Sequence, residues 1–325
     1  MPERLDAFMA RANAAYYATR DPFRDFTTAP EITQIFGELL GAWAATVWRQ
    51  MGSPSPVLFA EAGPGRGTLM RDARRATARV APDFHAAARV SFIETSPRLR
   101  AIQRDAVPDA IWHDDFCGLP PGPMILLANE FLDALPIRQF VRVRGAWNER
   151  YVQDGAFVLR SAAAPMPANA APEGSIWEQG DAAGAWARAL AARLAAQWGA
   201  ALILDYGPAH SAPGNSLQAL RGGRPADPLA DPGTADLTAH VDFQAVATAA
   251  SAQGAAIWGP LPQGDFLVRL GLLQRTQALA TANPDRAAAL RDAADRLAAP
   301  SRMGQLFKAL AITHPAAPPP PGFEA

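Results

Sequence analysis

The sequence predicts an α/β fold, a parallel sheet wrapped by helices, and three observations carry that expectation. Short apolar runs alternate with helical stretches from Val57 to Asn129. The runs are apolar throughout rather than alternating with polar residues, as expected of strands covered on both faces. A glycine-rich turn, Gly63-Pro64-Gly65-Arg66-Gly67, follows the first run and opens a helix.

Taken in order, a first helix is expected over about Glu3 to Tyr17, then a loop at Asp21-Pro22-Phe23-Arg24-Asp25. Thr28-Ala29-Pro30-Glu31 has the form of a capping box with an early proline. Behind it Ile32, Ile35, Phe36, Leu39, Leu40, Trp43 and Val47 repeat at helical spacing, which predicts one long helix ending near Gly52-Ser53-Pro54. Strands are predicted at 57–61, 90–94, 110–113 and 124–129, with helices over 68–79 and 97–105. After Pro136 the pattern breaks. Gln139–Arg144 and Glu149–Gln153 read as antiparallel strands, and 162–172 as a Pro/Ala-rich loop. A helix over 182–198 leads to a buried strand at 201–205. Residues 207–236 are rich in Gly, Pro and Asp and aperiodic, which suggests a lid or substrate loop. Leu306–Ile312 reads as a last strand, and the Pro-rich tail from about 315 as disordered.

The whole chain sets bounds. With 325 residues, 49% of them hydrophobic and 19% charged, it can bury a large core. A formal net charge of −1 argues against broad binding to nucleic acid or anionic lipid. Cys117 is the only cysteine, so an internal disulfide framework and a Cys-rich metal site are excluded. The five histidines lack ligand spacing, so no metal is expected. No apolar run approaches the roughly 20 residues that span a bilayer. The acidic residues Glu3, Asp6, Asp21 and Asp25 argue against a transit peptide. A cytoplasmic location is the expectation.

The candidate chemistry sits at the predicted strand ends. In Glu61-Ala62-Gly63-Pro64-Gly65-Arg66-Gly67-Thr68-Leu69 the spacing is G-x-G-x-G and an acid precedes it. Both features suit the amino-acid end of S-adenosylmethionine better than a dinucleotide pyrophosphate, although a purely structural turn is the alternative. Glu94 ends the second strand, where an acid accepts ribose hydroxyls; it could equally favour a helix N-terminus. Asp114 or Asp115, with Phe116, could take adenine, or form a solvated acidic loop. Asn129-Glu130-Phe131-Leu132-Asp133 follows the fourth strand and faces the reaction site of an open α/β sheet. Two carboxylates there could hold a cation such as guanidinium, or merely begin a helix.

Several longer stretches resemble the MidA family of S-adenosylmethionine-dependent methyltransferases, a branch that includes a mitochondrial complex I assembly factor. The matching segments are 25–32, 34–41, 61–69, 129–140 (Asn129 to Phe140), 205–207, 231–243 and 303–308, in order along nearly the whole chain. The chain departs from the resemblance before Phe26, where the loop is short, and at Gly222-Gly223, where a histidine is expected.

The resemblance implies a Rossmann-like seven-stranded methyltransferase core with N-terminal helices and an inserted substrate region. Residues 1–54 would be a helical cap and 55–325 the methyltransferase domain, with insertions at about 137–180 and 207–241. It implies S-adenosyl-L-methionine as cofactor and a protein arginine as acceptor, in a partner resembling a respiratory complex I subunit. On this reading Glu61, Gly63, Pro64, Gly65, Gly67, Thr68, Leu69, Glu94, Asp114, Asp115, Phe116 and Asn129 serve the cofactor. Glu130 and Asp133 are the catalytic pair, and Phe26, Thr28, Asp236 and His240 border the substrate. Two other functions stay open: a non-catalytic, cofactor-binding assembly chaperone and an NAD-dependent oxidoreductase. The equally plain reading of His240 is a surface residue beside Asp242, the cap of the next helix.

Overall fold

A computed structural model describes residues 1–20, 27–162 and 171–324. Its centre is a seven-stranded sheet made of β1 (Val57–Ala62), β2 (Ala88–Ile93), β3 (Ile111–His113), β4 (Met124–Asn129), β5 (Gly199–Tyr206), β6 (Ala256–Pro262) and β7 (Phe307–Thr313). The order across the sheet is β6-β7-β5-β4-β1-β2-β3. Strands β1 to β5 pair in parallel, and β7 runs antiparallel between β5 and β6. The order reverses between β1 and β4, so the chain leaves these neighbours in opposite directions. A crevice opens beyond their carboxyl ends, where α/β folds of this kind bind ligands.

Helices α1 (Leu5–Thr19), α2 (Ala29–Ile32), α3 (Gln34–Gln50), α4 (Thr68–Val80), α5 (Pro82–Ala87) and α6 (Pro97–Ala106) precede β4. Helices α7 (Asp181–Gln197) and α8 (Phe243–Ser251) follow it, then α9 (Gln263–Arg269), α10 (Leu272–Ala282), α11 (Ala287–Ala298) and α12 (Met303–Leu306). Each central strand feeds two cores. Phe59, Ile125, Leu127, Leu202 and Leu204 pack with α3, α4 and the 266–297 helices on one face. Ala60, Leu126, Ala128, Ala201 and Ile203 pack with α7 and α8 on the other. That double covering is why these strands are uniformly apolar.

The predicted long helix is interrupted. Thr28 makes no side-chain cap, α2 lasts four residues, and Thr33 starts α3 with its Oγ1 accepting from the Ile35 N–H at 3.3 Å. α3 meets α4 through Gly37 and Gly41: a Cβ on Gly41 would lie 2.8 Å from the Ala73 backbone. Gly41→Val is therefore expected to force the helices apart and lower the unfolding free energy by roughly 2 kcal/mol, read by urea denaturation.

Other corrections lie in the insertions and the tail. Two strands not anticipated, Ala156–Ser161 and Ile176–Gln179, join Arg138–Val143, Ala146–Gln153 and Glu3–Arg4 in a second, antiparallel sheet. The expected loop over 162–172 lies mostly outside the described residues. Within the expected lid, Gln218–Arg221 and Arg224–Ala226 form a hairpin closed by Gly222-Gly223, both at positive φ, and Asp236–Thr238 pairs with it. The tail expected to be disordered packs down instead. The Phe323 ring lies 5.1 Å from that of Phe266, and Arg269 Nη1 donates to the Gly322 carbonyl at 3.3 Å.

Candidate active site

The turn after β1 depends on glycine. Gly63, Gly65 and Gly67 all have left-handed φ, at +62°, +55° and +76°. A Cβ on Gly63 would sit 2.8 Å from the Phe131 ring. The turn opens into a cavity of about 630 Å³ beyond the ends of β1, β2 and β4. Most residues expected at the cofactor line it: Glu61, Gly63, Pro64, Gly65, Thr68, Leu69, Glu94, Asp114, Asp115, Phe116 and Asn129, joined by Glu130 and Thr28. Gly67 lies behind, as the left-handed residue that starts α4. Phe26 falls outside the described residues.

Two buried atoms in the cavity wall await partners. Glu61 is 3% exposed, and its Oε2 has no hydrogen bond; burial pushes its carboxyl well above the usual range. Asn129 Oδ1 is also buried and unbonded. Such atoms are costly unless a ligand meets them.

Glu94 combines both readings of its sequence position. Its Oε1 accepts the Ser96 N–H at 2.8 Å at the start of α6, and its carboxylate also lines the cavity. Gln103, fully buried on α6, was not anticipated. Its amide donates to the Gly65 carbonyl (2.8 Å) and Glu94 Oε2 (3.2 Å) and accepts from the Trp112 indole (2.8 Å). One side chain thus ties the glycine turn to β2 and β3. The local signal was a polar residue four after Leu99, on the buried stripe of α6. Asp115 Oδ1 accepts the Gly118 N–H at 2.9 Å, whereas Asp114 pairs with Arg100 at 2.6 Å.

Glu130 occupies left-handed backbone, φ +49°, unusual for a residue with a side chain. Its Oε1 accepts from the Ala29 N–H (3.0 Å) and Asn129 Nδ2 (3.1 Å). Among the described residues no hydrogen bond reaches Oε2. Burial above all, and then the charge of Asp133, raise its pKa to about 7, against the pull of the Ala29 N–H.

The strained segment is held by Asp205, fully buried at the end of β5. Its Oδ2 accepts the N–H groups of Phe131 (3.1 Å), Leu132 (2.8 Å) and Asp133 (3.2 Å), and its Oδ1 that of Tyr206 (2.9 Å). Asp205→Ala would leave these donors unmet. We expect a loss of about 3 kcal/mol in unfolding free energy, measured by urea denaturation.

Asp133 does not join Glu130 in the cavity. It is buried beneath it, against Tyr206 and beside Asp205 and Asp236; burial and those two charges raise its carboxyl well above the usual range. The turn that Asp205 organises aims the side chains of 130 and 133 apart. Asp236 is also withdrawn, accepting the Tyr17 hydroxyl at 2.8 Å. His240 lines a second cavity beyond β5 and β7, its ring edge-on to Tyr206 at 5.5 Å. Asp242 does cap α8, accepting from the Ala245 N–H at 2.9 Å. Helix α1 roofs the first cavity: Asn13 donates to the Ala134 and Leu237 carbonyls at 3.0 and 2.8 Å, and Tyr17 lines the wall.

Known proteins match this arrangement. The mitochondrial protein arginine methyltransferase NDUFAF7 homolog of Drosophila melanogaster is 35% identical over 95% of this chain and 80% of its own length. The mitochondrial protein arginine methyltransferase NDUFAF7 of Homo sapiens is 31% identical over 95% of this chain and 79% of its own. A Burkholderia thailandensis protein solved bound to S-adenosyl-homocysteine superposes with a TM-score of 0.84 at 26% identity, covering 100% of this chain and 89% of that one. The mitochondrial relatives overturn the cytoplasmic expectation, which rested on acidic residues near the start of the chain. Among the described residues no helix is long and apolar enough to cross a membrane. Residues 39–261 match the model of one family, and with these relatives they show that the chain belongs to the S-adenosyl-L-methionine-dependent methyltransferases.

Proposed function

We propose that this methyltransferase acts on an arginine side chain of a protein and that Glu130 holds the guanidinium. The carrying observation is Glu130 itself: a carboxylate at the end of β4, in strained backbone, with one oxygen fixed by Ala29 and Asn129 and the other left for a ligand. S-adenosylmethionine supplies an activated sulfonium methyl. Residues that line the cavity fit it: Glu61 and the glycine turn would take the amino-acid end, Glu94 would accept from ribose, and Asp114 or Asp115 with Phe116 would take adenine. Its volume lies in the usual range for small-molecule sites, about 300–1,000 Å³. The unmet oxygens of Glu61 and Asn129 fit a ligand bearing an ammonium and hydroxyl donors.

An arginine in water stays protonated, its pKa above about 12. Glu130 Oε2 can accept an N–H of the reacting guanidinium nitrogen and so turn that nitrogen toward the methyl. As the N–C bond forms and the sulfonium S–C bond breaks, the nitrogen gives that same proton to Glu130, whose pKa is near 7. Asp133 supports the site through Tyr206 rather than by contact. The names of the relatives agree with an arginine acceptor, and the MidA resemblance makes a respiratory complex I subunit the first partner to try.

The test is radiolabelled-methyl transfer to a lysate from a strain lacking this protein, with mass spectrometry of the labelled band. Methyl-arginine is expected. Label on lysine, glutamine or a small molecule would overturn the acceptor. Tight binding of S-adenosylhomocysteine with no transfer to any fraction would favour the chaperone reading.

A further inference from the structure

We propose that Gln103 is the positioning residue of the cofactor site: it holds the Glu94 carboxylate toward the ribose hydroxyls and keeps it in register with the glycine turn. This rests on the reading of Glu94 as the ribose acceptor and names what makes that acid competent.

Gln103 sits on α6, fully buried, and forms no part of the cavity wall. It can act on the cofactor only through its neighbours. One of them sets the orientation of its amide. The Trp112 indole is a donor and never an acceptor, so the atom that meets it at 2.8 Å is Oε1. The amide nitrogen then faces two acceptors, the Gly65 carbonyl at 2.8 Å and Glu94 Oε2 at 3.2 Å. Two N–H groups and one oxygen are all used, and the ends of β1, β2 and β3 meet at one side chain. Methionine at this position would supply none of these bonds. Ionised glutamate would accept from the indole but offer no donor to Gly65 or Glu94.

Glu94 needs such a neighbour because of where it lies. It lines the cavity yet is only 9% exposed, and burial above all raises its pKa over the ordinary carboxylate value. The Ser96 N–H on Oε1, and after it the Gln103 amide on Oε2, oppose that rise. An ionised carboxylate has about four acceptor positions. With one taken on each oxygen, each oxygen keeps another for a ribose hydroxyl. Protonation would turn one of those positions into a donor and remove the charge that strengthens both bonds. The backbone of residue 94 is held separately. Its N–H donates to the His113 carbonyl at 3.0 Å, and its carbonyl accepts from Arg100 Nε at 2.7 Å. Loss of Gln103 should therefore leave residue 94 in place and release its carboxylate and the glycine turn.

The probes are S-adenosylhomocysteine and its 2′-deoxyribose counterpart, titrated by calorimetry into the full chain over a range of pH. The native protein is expected to bind the ribose ligand about 10-fold tighter, as for a hydrogen bond to a charged group. Its affinity should fall as pH drops and Glu94 takes up a proton. In Gln103→Met the ribose preference should shrink to about 3-fold or less, with one bond that aims the carboxylate gone. The acidic fall should begin at higher pH, because the ionised form has lost a donor. If Gln103→Met does not fold, Trp112→Phe, which frees the amide without removing it, takes its place with the same two readouts. A ribose preference or an acidic limb that stays native in the folded variant would make Gln103 a purely structural residue and overturn the proposal, even if overall binding weakens. Glu94→Gln separates the two ideas, since it should lack both the preference and the limb. If both persist there, Glu94 is not the ribose acceptor, and the role of Gln103 falls with it.

Discussion

Glu130→Gln is expected to lower kcat/KM for methyl transfer about 100-fold while S-adenosylhomocysteine binds normally, because one charge-assisted contact to the reacting group is lost. Glutamine keeps the size and an oxygen for the Ala29 N–H, so the segment from 129 to 133 should stay in place. The pH profile gives a second readout. Burial lifts the Glu130 pKa from its ordinary 4.5 to about 7. Only the ionised form attracts a guanidinium, so kcat/KM should fall as pH drops through 7 in the native protein. In Glu130→Gln that acidic limb should be absent. The effect on stability has the opposite sense. A carboxyl whose pKa is raised on folding stabilises the fold below pH 4.5, and that contribution is lost as pH rises through 7. Full activity in Glu130→Gln, or an unchanged acidic limb, would remove Glu130 from the acceptor site.

Gly65→Val should reduce S-adenosylmethionine affinity at least about 100-fold. Two costs act together. The backbone at +55° is left-handed, which a β-branched residue resists by about 1–2 kcal/mol or more. A turn that relaxes also moves the Gly65 carbonyl away from Gln103, and with it the link to Glu94. The turn is short and at the surface of the cavity, so the sheet should still form. Circular dichroism checks the fold and calorimetry the affinity. Native affinity in a folded Gly65→Val protein would make the turn a purely structural feature.

The central strands were legible because their environment is uniform. Strand β4 is predicted at 124–129 and observed at Met124–Asn129, since six consecutive residues buried on both faces leave a run that local pattern alone can reveal. The G-x-G-x-G turn was legible for a local reason as well: positive φ at three positions favours glycine. Where a feature was missed, the signal was weak or competed. Gly222-Gly223 marks a two-residue hairpin, but its flanking strands of four and three residues are too short and polar to show alternation. The break at Thr33 was hidden by an apolar spacing that continues through it.

What belongs to the sequence alone is therefore the order of the central parallel strands and the helices between them, the glycine turn, and the acids that follow those strands, because each depends on neighbours within a few residues. Which of those acids face a ligand was decided only by tertiary structure. Glu130 is held by a backbone N–H 101 residues away, and its strained turn by Asp205, some 74 residues on. Asp133, three positions from Glu130, is turned beneath the cavity by that same carboxylate. Lys308 is buried only because β7 returns antiparallel beside β5. Charge, burial and unmet hydrogen bonds arise from contacts between distant segments, and no local spacing encodes them.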